Sequence, residues 1–160
     1  MQNNNIEKIV INAGVGRLAS QPNFNEKILP ELMKEFSLIT GQKPAPRPIR
    51  QSISGFKMRA GTIVGLKATL RRKRAEQFLK KLVKIVFPRV RDFRGLNLKN
   101  VDKNGNLTVG LKEHIVFPEI NPEHSNVNFG VEITIVPKDA ENREEAIRLY
   151  RELGIPLKQK

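Results

Sequence analysis

The chain has 160 residues, 39% of them hydrophobic, which is enough for one core and too little for two. It has no cysteine, so disulfides, thiolate zinc sites and iron–sulfur clusters are excluded, and no apolar run reaches the ~20 residues of a membrane span. The net charge of +13 is concentrated: residues 36–91 hold fifteen of the 29 bases and one of the 16 acids, Glu76, so that segment carries +14 while the rest sums to −1.

Ile6 to Asn12 alternates Ile9 and Ile11 with Lys8 and Val10, which predicts a half-buried strand ending at the Gly14-Val15-Gly16 turn. Met1 to Asn5 lacks the basic-then-apolar order of a secretion signal, so a cytoplasmic protein is expected. Asn23 and Glu26 have capping-box spacing, and Ile28, Leu29, Leu32, Met33, Phe36 and Ile39 recur at helical spacing up to Gly41. Pro30 is expected to kink this helix or shift its start. Pro44, Pro46 and Pro48 then force an extended path.

Ile49 to Thr69, interrupted by Gly55, Gly61 and Gly65 and free of acids, reads as two strands joined by a long basic loop, a strand–loop–strand unit over 50–66. Ala75, Phe78, Leu79, Leu82, Ile85 and Val86 form the apolar face of a basic helix that Phe87-Pro88 is expected to stop. Asn104-Gly105 signals a hairpin turn with positive φ at both positions. Val127, Phe129, Val131, Ile133 and Ile135 give the cleanest period-two run and predict a buried central strand. Asp139 is the expected cap of a closing helix whose Ala146, Leu149, Tyr150 and Leu153 share a face and which Gly154 and Pro156 end. The irregular alternation of elements predicts an α+β fold: an antiparallel-rich sheet with helices packed on one face and a long basic loop between two strands.

Candidate chemistry is sparse. Gly14 to Ala19 matches a G-x-G-x-x-A dinucleotide fingerprint, but Ser20-Gln21-Pro22 interrupts the helix such a site requires, and no acid ends a second strand about 20 residues on. Gly61 to Lys67 has three residues between its glycines and Leu66 before the lysine, which is not phosphate-loop spacing. His114 and His124 are read as loop or sheet-surface residues, and Glu113, Glu119, Glu123, Glu141, Glu144 and Glu145 as solvated faces. No catalytic residue, metal ligand or cofactor is expected.

The basic tract differs from a solubilising surface, which would intersperse both signs. Forty consecutive residues, Phe36 to Ala75, contain no acid. Such segregation is the electrostatic footprint of a polyanion. A membrane surface fits poorly, because the basic helix needs Phe78 and Leu82 for its own core. No helix-turn-helix is present, and Asn12, Gln42 and Thr69 are polar groups suited to RNA shape and 2′-hydroxyls, so structured RNA is favoured over a DNA groove.

Six segments in order resemble one family: Ile9–Gly16 (IVINAGVG), Gly41–Pro44 (GQKP), Ser54–Gly61 (SGFKMRAG), Gly65–Arg71 (GLKATLR), Pro88–Leu96 (PRVRDFRGL) and Ile115–Ile120 (IVFPEI). Over nearly its whole length the chain is similar to the bacterial large-subunit ribosomal proteins called L-five, which bind 5S rRNA. The resemblance implies a cytoplasmic, ribosomal, non-enzymatic protein, one RNA-binding domain over 1–160, not an obligate homo-oligomer and with no membrane partner. It implies contact with 5S rRNA through Asn12, Gln42 and Thr69, with Lys43, Lys67 and Arg71 neutralising phosphates, and further contact with the large rRNA. It also implies that the loop around Ser54, Gly55, Phe56, Lys57, Met58 and Arg59 reaches peptidyl-site tRNA, and that exposed loops of the C-terminal half meet the small-subunit head protein S-thirteen. Members of the family usually carry a helical segment before the first strand, whereas here the strand pattern starts at Ile6; a naturally shorter protein and a piece of a longer one both fit.

Overall fold

Alternating burial builds the first strand of the computed structural model, which describes residues 5–51 and 59–159. In β1 (Ile6–Gly14) Ile9, Ile11 and Ala13 are buried, while Lys8, Val10 and Asn12 fall on the other face, as a period of two requires. A single turn, α1 (Gly16–Ala19), follows, and the Val15 amide donates to the Val64 carbonyl at 2.8 Å.

Helix α2 (Leu29–Thr40) buries Leu32, Phe36 and Ile39. A wider π-helical turn, Phe24–Ile28, precedes it, closed by the Leu29 amide donating to the Phe24 carbonyl five residues back. Pro30 accounts for this turn. Proline has no N–H and its ring crowds the carbonyl four residues earlier, and a turn with i→i+5 bonding moves that carbonyl away. The helix start shifts, as one of the two sequence expectations had it. The expected capping box is corrected: Asn23 has φ 63° and its side chain makes no cap bond, because a left-handed residue lacks the extended geometry of an N-cap. Gly41, at φ 77°, ends the helix as expected.

The proline segment becomes β2 (Ala45–Pro48), an exposed strand at the sheet edge, where residues without an N–H are tolerated. The first arm of the strand–loop–strand therefore lies ahead of residue 50. The second arm is β3 (Ile63–Leu70), and the Ile49 amide donates to the Thr62 carbonyl at 2.8 Å near the base of the connection. Residues 52–58 of the expected loop lie outside the described residues.

Helix α3 (Arg72–Lys81) runs on through a second π turn, Leu82–Val86, into α4 (Phe87–Arg89). Phe87-Pro88 does not stop the helix, contrary to expectation. The Phe87 amide reaches back to the Leu82 carbonyl, so Pro88 is accommodated in the same way as Pro30, and the helix ends only at the extended Val90.

Before β4 (Leu107–Leu111) the turn also differs from expectation. Gly105 has φ 85° but Asn104 is not in the left-handed region, and the Asp102 carboxylate organises the loop by accepting from the amides of Asn104 and Asn106, each at 2.9 Å. Strand β5 (Val131–Pro137) starts later than its alternation, because the Phe129 carbonyl accepts from the His114 amide at 3.1 Å. Helix α5 (Arg143–Glu152) is capped by Asn142 and not by Asp139: the Asn142 side chain accepts from the Glu145 amide at 2.9 Å, and the Glu145 carboxylate accepts from the Glu141 amide at 2.9 Å. At its end Gly154 has φ 84°, the Ile155 amide donates to the Tyr150 carbonyl at 3.0 Å and the Gly154 amide to the Arg151 carbonyl at 3.1 Å, a Schellman motif.

The strands form one antiparallel sheet in the order β2-β3-β1-β5-β4. Ile9, Ile11, Leu66, Leu70, Ile133, Ile135 and Val109 line one face, and Phe36, Phe78, Leu82, Ala146 and Tyr150 of the helices cover it in a continuous core. The fold is α+β, with β1 at the centre of the sheet.

Candidate nucleic-acid interface

Since the strands send their aliphatic side chains toward the helices, the opposite face of the sheet carries polar ones. In register, Asn12 lies between Lys67 on β3 and Glu132 on β5, with Ala45 beyond Lys67 and Gly110 beyond Glu132. The neighbouring row runs Thr69, Val10, Thr134, Thr108, and the hydroxyls of Thr108 and Thr134 are 3.4 Å apart. A third row pairs Arg47 with Gly65 and Gly65 with Gly14. Two glycines side by side leave a shallow depression edged by Asn12, Arg47 and Glu132, and a Cβ on Gly14 would meet nothing within 4 Å. Backbone is accessible there.

The structure thus brings together Asn12, Lys67 and Thr69, which lie far apart along the chain. Gln42 joins them by its hydrogen bonds: its Nε2 donates to the Thr69 carbonyl at 3.1 Å, and its Oε1 accepts from Arg74 Nη1 at 3.1 Å. The buried Thr40 hydroxyl accepts from the Gln42 amide at 3.3 Å. This polar lattice locks the α2–β2 connection to the end of β3. Lys43 is exposed beside it. Arg71 stands where β3 passes into α3 and lines a different groove. Of the expected loop residues only Arg59 is described, exposed, its carbonyl accepting from the Thr62 amide at 3.2 Å; Ser54, Gly55, Phe56, Lys57 and Met58 lie outside the described residues. Sequence reasoning missed Arg47, whose place on the face is set by the β2–β3 register, although its position in an extended acid-free segment was the available signal.

His114 lies in the connection between β4 and β5, as the loop reading had it, but its burial departs from expectation. It is 0% exposed, not a surface residue. Its Nε2 lies 3.0 Å from Glu35 Oε2 and 3.3 Å from Ser125 Oγ, and its ring stacks on Phe129 with centroids 4.1 Å apart. Ser125 Oγ donates to the Val127 carbonyl at 2.9 Å, so it and the carboxylate act as acceptors toward the imidazole and assign the proton to Nε2. Nδ1 has no hydrogen-bond partner among the described residues. Glu35 lies 79 residues from His114, a separation that hid the pair. His124 is exposed, as are Glu113, Glu119, Glu123, Glu141 and Glu144. A helix does begin at Gly16, but it is one turn long and follows an antiparallel strand, without the parallel crossover of a dinucleotide site. Among the described residues no group of acids and histidines is placed to hold a metal.

A strongly basic α+β protein whose described residues present one polar sheet face has the electrostatic footprint of the class of nucleic-acid-binding proteins. Residues 1–59 match the family model described as ribosomal protein L5, and residues 63–157 match the model that describes the C-terminus of the same ribosomal family. The chain is 46% identical over 158 residues to the large ribosomal subunit protein uL5 of Acholeplasma laidlawii (strain PG-8A), covering 99% of this chain and 85% of that protein. It is 47% identical over 152 residues to uL5 of Malacoplasma penetrans (strain HF-2), covering 95% and 79%. To uL5c of Gracilaria tenuistipitata var. liui it is 44% identical over 150 residues, covering 94% and 81%. The chain belongs to the uL5 family of large-subunit ribosomal proteins. It is a structural component of the ribosome, which is cytoplasmic in bacteria, and not an enzyme.

Proposed function

We propose that the uncovered sheet face holds 5S rRNA. The observation that carries this reading is the register that sets Asn12 directly opposite Lys67, with Thr69 in the next row, on the face opposite the helix-covered core among the described residues. Asn12 and Thr69 offer hydrogen bonds to 2′-hydroxyls and base edges, and Lys67 and Lys43 neutralise phosphates there, while Arg71, which lines a different groove, neutralises a phosphate beyond the edge of the face. Gln42 contributes by fixing the rim, since its amide group already bonds within the protein. In the same reading residues Ser54 to Arg59 contact peptidyl-site tRNA, other basic surfaces meet the large rRNA, and exposed loops of the C-terminal half contact S-thirteen of the small-subunit head.

The affinity of the full chain for 5S rRNA, measured across salt concentrations, tests the central claim. A log–log plot should be linear, and Lys67→Ala should reduce its slope by about 0.7–0.9, the loss of one phosphate contact. Asn12→Ala should weaken binding with the slope unchanged. Equal affinity for 5S rRNA, tRNA and duplex DNA in competition sinks the proposal.

A further inference from the structure

One residue of the open face has the wrong sign for a polyanion. Among the described strand residues aligned in its rows, Glu132 is the one carboxylate. It is exposed, and among the described residues its side chain accepts no hydrogen bond and forms no ion pair. The row it stands in leaves it alone. Asn12 separates it from Lys67, so the backbones of the two charged residues lie two strand spacings, about 9–10 Å, apart. On its other side is Gly110, which has no side chain, and a Cβ there would meet nothing within 4 Å. The carboxylate also edges the shallow depression lined by Gly14, Gly65 and Gly130, with Arg47 on the β2 side.

A carboxylate without a partner repels phosphates, and when ionised it can only accept hydrogen bonds. It therefore weakens binding of any RNA that sets a phosphate against it and favours one that brings donors, which is how a surface discriminates among polyanions. RNA has donors at the ribose 2′-hydroxyl and at the amino groups of its bases. Two oxygens side by side match one edge best, the Watson–Crick edge of guanine, whose ring N–H and amino group point the same way. In a duplex that edge is already paired, so the guanine has to be unpaired and splayed out. We infer that Glu132 is a specificity-determining residue of the open face, which receives the Watson–Crick edge of an unpaired guanine in the bound RNA while Lys67 and Arg47 hold neighbouring phosphates. The glycine-lined depression beside it lets the base approach bare backbone closely. This inference deepens the 5S rRNA reading and rests on it: the cations position the RNA, and one acid among them reads it.

Inosine, which lacks the amino group of guanine, tests this directly. 5S rRNA is transcribed with inosine scattered over its guanosine positions and bound by the full chain, and the positions depleted from the bound fraction are mapped. One unpaired guanosine should be depleted with the unsubstituted protein and not with Glu132→Ala. In direct titration Glu132→Ala should weaken 5S rRNA binding about five- to 150-fold, the range of one bidentate base contact, although the substitution makes the protein more positive. Affinity for duplex DNA should not fall. Glu132→Gln, which keeps the shape and one acceptor oxygen, should lie between the two proteins. Unchanged or tighter 5S rRNA binding by Glu132→Ala overturns the inference, because that is the outcome of simple charge repulsion. An inosine pattern that is the same in both proteins overturns it too, as does a 2′-deoxy effect that disappears in the variant in place of the inosine effect, since the carboxylate then holds a ribose. Equal affinity of the unsubstituted chain for 5S rRNA, tRNA and duplex DNA removes the 5S reading itself, whereas preference for 5S rRNA with an unaltered inosine pattern removes only the role of Glu132.

Discussion

His114, Glu35 and Ser125 tie together three segments by their side chains: α2, the short turn His114–Val116 and the loop before β5. Removing the carboxylate leaves a buried N–H with one remaining, longer partner, and an unmet buried donor costs about 1–3 kcal/mol. Glu35→Ala is therefore expected to destabilise the fold by that amount, read as a lower urea midpoint, while Glu35→Gln, which keeps an acceptor, loses less. Tyr150 is the other buried polar anchor. Its hydroxyl lies against the carbonyls of Gly105 and Ile135, the latter at 3.2 Å, and burial, with a smaller contribution from the Asp102 charge, pushes its pKa well above the ordinary phenolic range. A raised folded-state pKa favours the protonated, neutral form in the native protein. Its contribution to stability is complete below pH about 10 and is lost as pH rises from there toward the folded value. Tyr150→Phe should thus flatten the fall in stability between pH about 9 and 11 relative to the unsubstituted chain. Unfolding curves at those two pH values, showing parallel losses in both proteins, would count against this.

Among the elements, β1, β5 and the glycine ends of α2 and α5 were legible, whereas the helix caps and the end of α4 were not. β1 and β5 alternate in sequence as they do in burial, because successive side chains must point to opposite faces whatever the rest of the molecule does. Helix boundaries depend on which of several competent residues wins. Asp139 and Asn142 are both good N-caps on intrinsic preference, but only Asn142 is extended with its side chain on the Glu145 amide. Asn142→Ala should accordingly cost about 0.5–2 kcal/mol of stability and Asp139→Ala close to nothing; chemical denaturation of the two variants distinguishes them. The π turns before Pro30 and Pro88 were equally hidden. Proline announces that a helical bond is missing, but the sequence does not say whether the chain kinks, stops or widens a turn, and here packing of Leu32, Phe36, Leu82, Phe87 and their neighbours into one core favours the continuous helix.

On the scale of the whole molecule, the two family-matched segments are not two structures. β1 belongs to the first segment and pairs on both sides with strands of the second, β3 and β5. Taking β1 out removes the centre of the sheet and both of its ladders, so residues 1–59 and 63–160 expressed separately should show no cooperative melting by circular dichroism, whereas the full chain should melt in one transition. Fragments that each melt cooperatively would contradict this. The same strand order explains the site: Asn12 reaches Lys67 and Glu132 only because β1 lies between β3 and β5.

Read on its own, the amino-acid sequence determined what local chemistry and covalent geometry control: the segregation of positive charge, the alternation that leaves one sheet face polar, the absence of thiol chemistry and the family motifs. Tertiary structure alone decided which of those charges act together. It put Lys67 on the open face and Lys73, Lys80 and Lys84 around a groove on the helical side, and it buried His114 against Glu35. The physical reason is range. Periodicity and charge density are properties of neighbouring residues, whereas an interface is made by strand order and register, which arise only when distant segments compete to bury their apolar faces in one core.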